Sequence, residues 1–123
     1  MPACEAVSFR IDLPLPPTAN SAYPTDWRTH RRHLSARARA WKDEAGWAIM
    51  ASHPPKITGA YTFQILIPLK ARGDSDGYVK LPQDLLAELG VTPNDRKAQD
   101  SRGTRDPSVV WGSCVIVVES CLK

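Results

Sequence analysis

The sequence VIVV at residues 115–118 is the feature that most constrains the fold of this chain. β-branched side chains favour a strand. A continuous apolar run, in place of an alternating one, is typical of a strand that is covered on both faces. We therefore predict that residues 109–119 form a central strand of a sheet, with other strands and helices packed around it.

Two earlier segments alternate apolar and polar residues with the period of two that indicates a half-buried strand. They are residues 7–13 (VSFRIDL) and residues 61–67 (YTFQILI), and a proline follows each of them. Because proline cannot donate to a β-ladder, it ends both strands. The polar residues 96–108 are ambiguous between a loop and an exposed edge strand.

Two segments have helical spacing of their apolar residues. The first is predicted to run from the N-cap Ser35 to about Ser52, and the second from about Leu81 to the C′ glycine Gly90. Pro82 predicts an irregular turn before the second helix. The predicted order is β-α-β-α-β, with residues 96–108 as the candidate for one further strand, and the fold class is α+β (mixed α/β), a small mixed sheet with two helices.

The composition indicates one soluble globular domain over residues 1–123, with 42% apolar and 24% charged residues. Three cysteines without CxxC spacing argue against a disulfide framework and a zinc site, and favour the cytoplasm. Cys114, on the predicted central strand, is expected to serve packing. No apolar run approaches the ~20 residues of a membrane span, so a membrane partner is not expected.

The segment Asp74-Ser75-Asp76, between two glycines, is the first candidate for chemistry. Two acids at i and i+2 share a side only on extended backbone, which we predict here. Neighbouring carboxylates repel unless a cation lies between them, and Mg²⁺ or Mn²⁺ prefers such oxygen ligands. Lys80, four residues on, and Asp95 are the other candidates. The spacing alone is equally that of a solvated turn with an N-cap.

Basic residues interleaved with aromatic ones follow the first strand, which suits a phosphate backbone and an unstacked base. A second basic group flanks Asp95. Either group is alternatively an ordinary solvated surface. The candidate DNA-binding residues are Arg28, Arg31, Arg32, Arg37, Lys80, Arg96 and Lys97, with Arg102 and Arg105 beside the last two.

Two motifs in the same order resemble those of the RusA-type Holliday-junction resolvases. One is the opening LPLPPTAN at residues 13–20, similar to the family's LPxPPSxN. The other is DSDG at residues 74–77 with Lys80, a Leu-rich helix and Asn94-Asp95, similar to the family's DxDN, lysine and acidic turn. The resemblance extends over residues 9–119.

This resemblance implies a homodimeric endodeoxyribonuclease that nicks four-way DNA junctions symmetrically with Mg²⁺ or Mn²⁺. Asp74, Asp76 and Asp95 would hold the metal, and Lys80 would assist catalysis. Gly77 and Asn94 depart from the Asn and Asp usual in the family. They motivate the alternative of a branched-DNA-binding module with impaired cleavage; a nuclease of broader substrate range is a second alternative.

Overall fold

The computed structural model describes residues 7–22, 25–26, 28, 31–32, 34–93 and 98–120. Its strands are β1 (Ser8–Pro14), β2 (Thr25–Asp26), β3 (Arg31–Arg32), β4 (Tyr61–Ile67), β5 (Ala98–Arg105) and β6 (Ser113–Ser120). Its helices are α1 (Ala19–Ala22), α2 (Ala36–Ala51) and α3 (Lys80–Glu88), with a 3₁₀ helix at Ser75–Tyr78. The fold is mixed α+β, as predicted.

Four strands form one mixed sheet in the order β1-β6-β4-β5. The strand β6 lies between β1 and β4 and is antiparallel to both, whereas β5 is parallel to β4. The prediction that the apolar run at residues 115–118 is central is therefore confirmed. The ambiguous residues 96–108 contain an edge strand, β5, and α3 provides the crossover that a parallel β4–β5 pair requires.

The last strand begins later than predicted, at Ser113 and not at Val109. The preceding residues form turns instead, because the amide of Val109 donates to Asp106 O at 3.2 Å and that of Ser113 donates to Val110 O at 3.1 Å. Val109 is apolar for a different reason: it is buried against Leu66 and Val115 on the sheet face away from α2 and α3.

The helix α2 has the predicted boundaries. The Ser35 hydroxyl accepts a hydrogen bond from the Ala38 amide at 3.1 Å, which is a standard N-cap. Its buried face includes Trp41 and Ile49, and the Trp41 indole N–H donates to Pro14 O at 2.7 Å, which joins the helix to the end of β1. Trp41 is thus a core residue.

The helix α3 ends in a complete Schellman motif. The amide of Gly90 donates to Ala87 O, the amide of Val91 donates to Leu86 O, and Gly90 has a φ of 77°. Pro82 lies in the first turn, where no intrahelical partner for its missing N–H is needed. The predicted irregular turn before this helix is the 3₁₀ helix at Ser75–Tyr78.

The main core lies between the sheet and the helices α2 and α3, with Tyr61, Phe63, Ile65 and Ile116 almost fully buried. Cys114 is part of this core, and burial raises the pKa of its thiol to about 12. The packing role predicted for it is confirmed.

The described part of residues 18–34 contains α1 and the short antiparallel pair β2–β3. Within the described part of the chain, no helix combines the length and apolar character that crossing a membrane requires.

Candidate metal-binding and catalytic site

The acidic segment follows the interior strand β4 and lies against the edge strand β5. After Pro68 the chain turns, with the Ala71 amide donating to Pro68 O at 3.1 Å, and Gly73 adopts a φ of 77°. Asp74 is extended, with φ −74° and ψ 140°, and is the N-cap residue of the 3₁₀ helix, although its side chain makes no capping hydrogen bond. We call residues 73–77 the acidic turn.

The prediction of extended backbone through both aspartates is wrong, because Asp76 lies inside the 3₁₀ helix. The amides of Gly77 and Val79 donate to Asp74 O and Asp76 O, at 3.0 and 3.2 Å. Sequence alternation therefore does not place the two carboxylates on one side. Both aspartates are nevertheless exposed, so both are accessible to a ligand from solvent.

The edge strand β5 fixes the position of Asp76. A Cβ atom added at Gly103 would lie 2.1 Å from Ser75 O and 2.6 Å from Ser75 C, so only glycine permits this approach. The Gly103 amide also donates to Asp76 Oδ1 over 3.4 Å. An edge strand has backbone groups without a partner in the sheet, and here the acidic turn accepts from one of them.

Arg105 holds the loop that leads into the acidic turn. Its Nη2 donates to Ala71 O at 2.8 Å and to Gly73 O at 2.6 Å. The sequence had assigned Arg105 to a DNA-flanking group with Arg102, but Arg102 Nε donates to Asp100 at 2.8 Å within β5. The role that the structure gives Arg105 is therefore to position the loop.

Thr18 lies close beside the acidic turn. A Cβ atom added at Gly77 would lie 3.7 Å from Thr18 Cβ, and one at Gly73 would lie 4.0 Å from Thr18 Cγ2. Thr18 belongs to the opening motif at residues 13–20, so the two motifs that carry the family resemblance meet in space. Asn20, the last residue of that motif, lies in α1, but its side chain is outside the described residues.

Lys80 is the first residue of α3 and follows the acidic turn closely. Its Nζ lies 3.4 Å from Asp84 Oδ2, and its side chain is 56% exposed. Because an exposed i,i+4 ion pair contributes little, this pairing leaves the ammonium group able to exchange its partner for a phosphate oxygen.

The predicted basic residues are only partly described. Arg28 and Arg37 are exposed, and Arg31 and Arg32 form β3, without a described side-chain position. The Ser35 amide donates to Ala22 O at 2.8 Å, so the start of α2, which carries Arg37, adjoins the end of α1. Trp27, His30, His33, Arg96 and Lys97 lie outside the described residues.

Asp95 also lies outside the described residues. The positions of Asp76 and β5, which are described, nevertheless limit how Asp95 could reach a shared metal ion. Asp76 contacts Gly103, opposite Ile65, whereas β5 begins at Ala98, opposite Tyr61. Ala98 and Gly103 are five residues apart, or about 16 Å along a strand. Asp95 can share an ion with Asp76 only if residues 94–97 turn back along β5.

Two carboxylates alone are a sufficient protein contribution for some ions. Among the described residues, no three Asp, Glu, His or Cys side chains are grouped so as to hold a metal ion. Mg²⁺, however, is often bound by one or two carboxylates, with water and substrate phosphate completing its coordination. Asp74 and Asp76 supply two exposed carboxylates of the kind that this mode of binding uses.

Comparison with known proteins adds no relative: no protein-family model matches the chain, and no curated protein sequence matches it. The family resemblance therefore depends on the two motifs and their order.

The sequence did not identify three residues that position the site, namely Thr18, Gly103 and Arg105. The one available signal was Gly103, since an isolated glycine in a strand often marks a close backbone approach. That signal was obscured because residues 96–108 were not assigned to a strand.

Proposed function

We propose that this protein is a divalent-metal-dependent endodeoxyribonuclease of the RusA type, which cuts branched DNA such as a four-way junction. In this proposal the protein is a homodimer, and its two-fold symmetry delivers one nick from each protomer. Asp74 and Asp76 are the metal ligands, with Asp95 as the third, and Lys80 contacts the phosphate.

The observation that carries the proposal is the exposed acidic turn, held between Thr18 and the edge strand β5. Gly103 and Thr18 pack against it, and Arg105 binds two carbonyl oxygens of the loop before it. Catalytic groups must be held closely in place, because a displacement of about 1 Å can lower a rate about 10²-fold. A solvated turn without function does not need this support.

The donor set suits a hard ion, because aspartate oxygens are the ligands that Mg²⁺ and Mn²⁺ prefer. When bound, such an ion activates water and offsets charge on the phosphate. The protein's own part is to keep Asp76 oriented through the Gly103 amide and to bring the Lys80 ammonium to a phosphate oxygen. Arg28 and Arg37 would contact the DNA backbone farther away.

The decisive test is Asp76→Asn with a labelled four-way junction and Mg²⁺. Asparagine keeps an oxygen that can accept from the Gly103 amide, so the turn is preserved while the charge is removed. We expect cleavage to fall at least about 100-fold. We expect junction binding to be equal or tighter, because one carboxylate no longer repels the phosphates.

Glu44→Gln is the matched control, since Glu44 is an exposed acid on α2 outside the groove between α2 and α3, and its cleavage should equal that of the wild type. Equal cleavage by Asp76→Asn would refute the assignment, and loss of binding together with cleavage would make Asp76 structural. Wild-type protein that binds junctions without nicking them would favour the impaired DNA-binding module. Equal cutting of junction, flap and duplex DNA would favour the broader nuclease.

A further inference from the structure

A second feature lies at the same end of the sheet as the acidic turn: a mainly apolar slot of about 330 Å³. We call it the Trp111 slot. Its lining residues come from the loop after β4 and the loop between β5 and β6, and they are Pro68, Leu69, Lys70, Pro107, Val109 and Trp111. Trp111 is 65% exposed and Leu69 is 57% exposed, so two large apolar side chains face solvent without a partner within the described structure.

The loop that carries Trp111 is held in place by its own hydrogen bonds. Asp106 Oδ1 accepts from the amide and the hydroxyl of Ser108, at 2.8 and 2.7 Å. At the residue after Trp111, the Leu15 amide donates to Gly112 O at 2.9 Å, which joins the loop to the end of β1. Because these hydrogen bonds hold the loop backbone before and after Trp111, the exposed indole is part of a preformed binding surface.

The slot is continuous with the proposed catalytic loop. Leu69 and Lys70 line the slot, and Lys70 is four residues before Asp74, so their Cα atoms lie no more than about 14 Å apart. Arg72, between them, is exposed. Along the chain, the cationic residues Lys70 and Arg72 thus lie between Leu69 of the slot and Asp74.

We propose that the Trp111 slot receives one unpaired DNA base, which stacks on the Trp111 indole while Lys70 contacts the adjoining phosphate. This inference rests on the proposed nuclease function and specifies its substrate as DNA with an unstacked base near the scissile phosphate. An apolar aromatic wall beside a cation matches a nucleotide, which has a flat apolar base on an anionic backbone. Within a regular duplex the same base is stacked between its neighbours and does not enter.

The test measures binding without divalent metal, so that cleavage does not interfere. The probes are an oligonucleotide with 2-aminopurine at an unpaired position and the same strand annealed into a full duplex. We expect Trp111→Ala to weaken binding of the unpaired probe by about 5- to 150-fold and to abolish the change in 2-aminopurine fluorescence. Trp111→Phe should retain most of both signals, and duplex affinity should not change.

Val110→Ala is the matched control, because Val110 is exposed on the same loop but does not line the slot, and we expect it to bind like the wild type. Leu69→Ala provides a second slot variant if Trp111→Ala fails to fold. An equal loss on both probes, or no loss on either, would overturn the proposal. A change in oligomeric state with unchanged DNA binding would also overturn it, since the occupant would then be a second copy.

The two proposals fail separately. Wild-type protein that shows Trp111-dependent base binding but never cuts DNA with Mg²⁺ would refute the nuclease function and leave the slot in place. Cleavage that depends on Asp76 but is indifferent to Trp111 on every substrate would refute the slot alone.

Discussion

Replacing Gly103 by alanine tests whether β5 positions the acidic turn. The added Cβ would lie 2.1 Å from Ser75 O, whereas ordinary contacts begin near 3.4 Å, so strand and turn must separate by about 1 Å. Overpacking of this kind typically costs about 1–3 kcal/mol. For a domain of this size we expect the Tm to fall by about 3–5 °C for each kcal/mol.

Whether Gly103→Ala raises or lowers the stability is informative, because Gly103 does not adopt a positive φ. Without the close approach, alanine should stabilise a strand residue by about 0.4–1 kcal/mol through the unfolded state. Gly46→Ala is the control: apart from the backbone of its own helix, no atom lies within 4 Å of its added Cβ, and alanine in mid-helix should stabilise the protein by about 0.5–1 kcal/mol. Opposite signs are therefore expected for the two substitutions.

Chemical and thermal denaturation followed by circular dichroism measures both variants, and junction cleavage measures the turn itself. We expect the cleavage rate of Gly103→Ala to fall by about 10²-fold for a 1 Å displacement of the turn. This loss of rate should exceed what the fall in stability alone explains. A Gly103→Ala protein as stable as the wild type, with unchanged cleavage, would refute the view that this contact positions Asp76.

Two further predictions concern other parts of the molecule. Trp47 is 81% exposed on α2, beside a groove that α2 forms with α3, and we place it in the proposed dimer interface. Trp47→Glu should therefore give a monomer in analytical sedimentation, while the control Val110→Glu should stay dimeric. A wild-type protein that sediments as a monomer would refute the dimer. Hydrogen bonds from Ser108 lower the pKa of Asp106, so its ionised form contributes stability above the ordinary value of 3.8 and loses it as the pH falls through the lower native pKa. The stability difference between wild type and Asp106→Asn, measured by denaturant titration, should therefore narrow between about pH 5 and pH 2; a constant difference would contradict this linkage.

The helix ends and the strand that were predicted correctly are those that depend on residues close to them in the sequence. The cap at Ser35, the stop at Gly90 and the central strand at residues 115–118 each depend on nearby residues or on continuous apolar composition. The start of β6 was misplaced because Val109 is apolar for a tertiary reason, its burial against Leu66. No periodicity in one segment reveals a packing partner more than 40 residues away.

The difference between nearby residues and distant packing partners also explains how much of the candidate site could be predicted. The sequence identifies Asp74 and Asp76 as acids between glycines, but their geometry depends on residues from two other segments. Gly103 is 27 positions after Asp76, and its contact requires a parallel β4–β5 pair that the sequence left undecided. With extended backbone, Asp74 and Asp76 would share a side through local alternation alone. In the 3₁₀ conformation, their use by one ligand depends on how β5 and Thr18 hold the turn, so cleavage should be as sensitive to Gly103 as to the acids themselves.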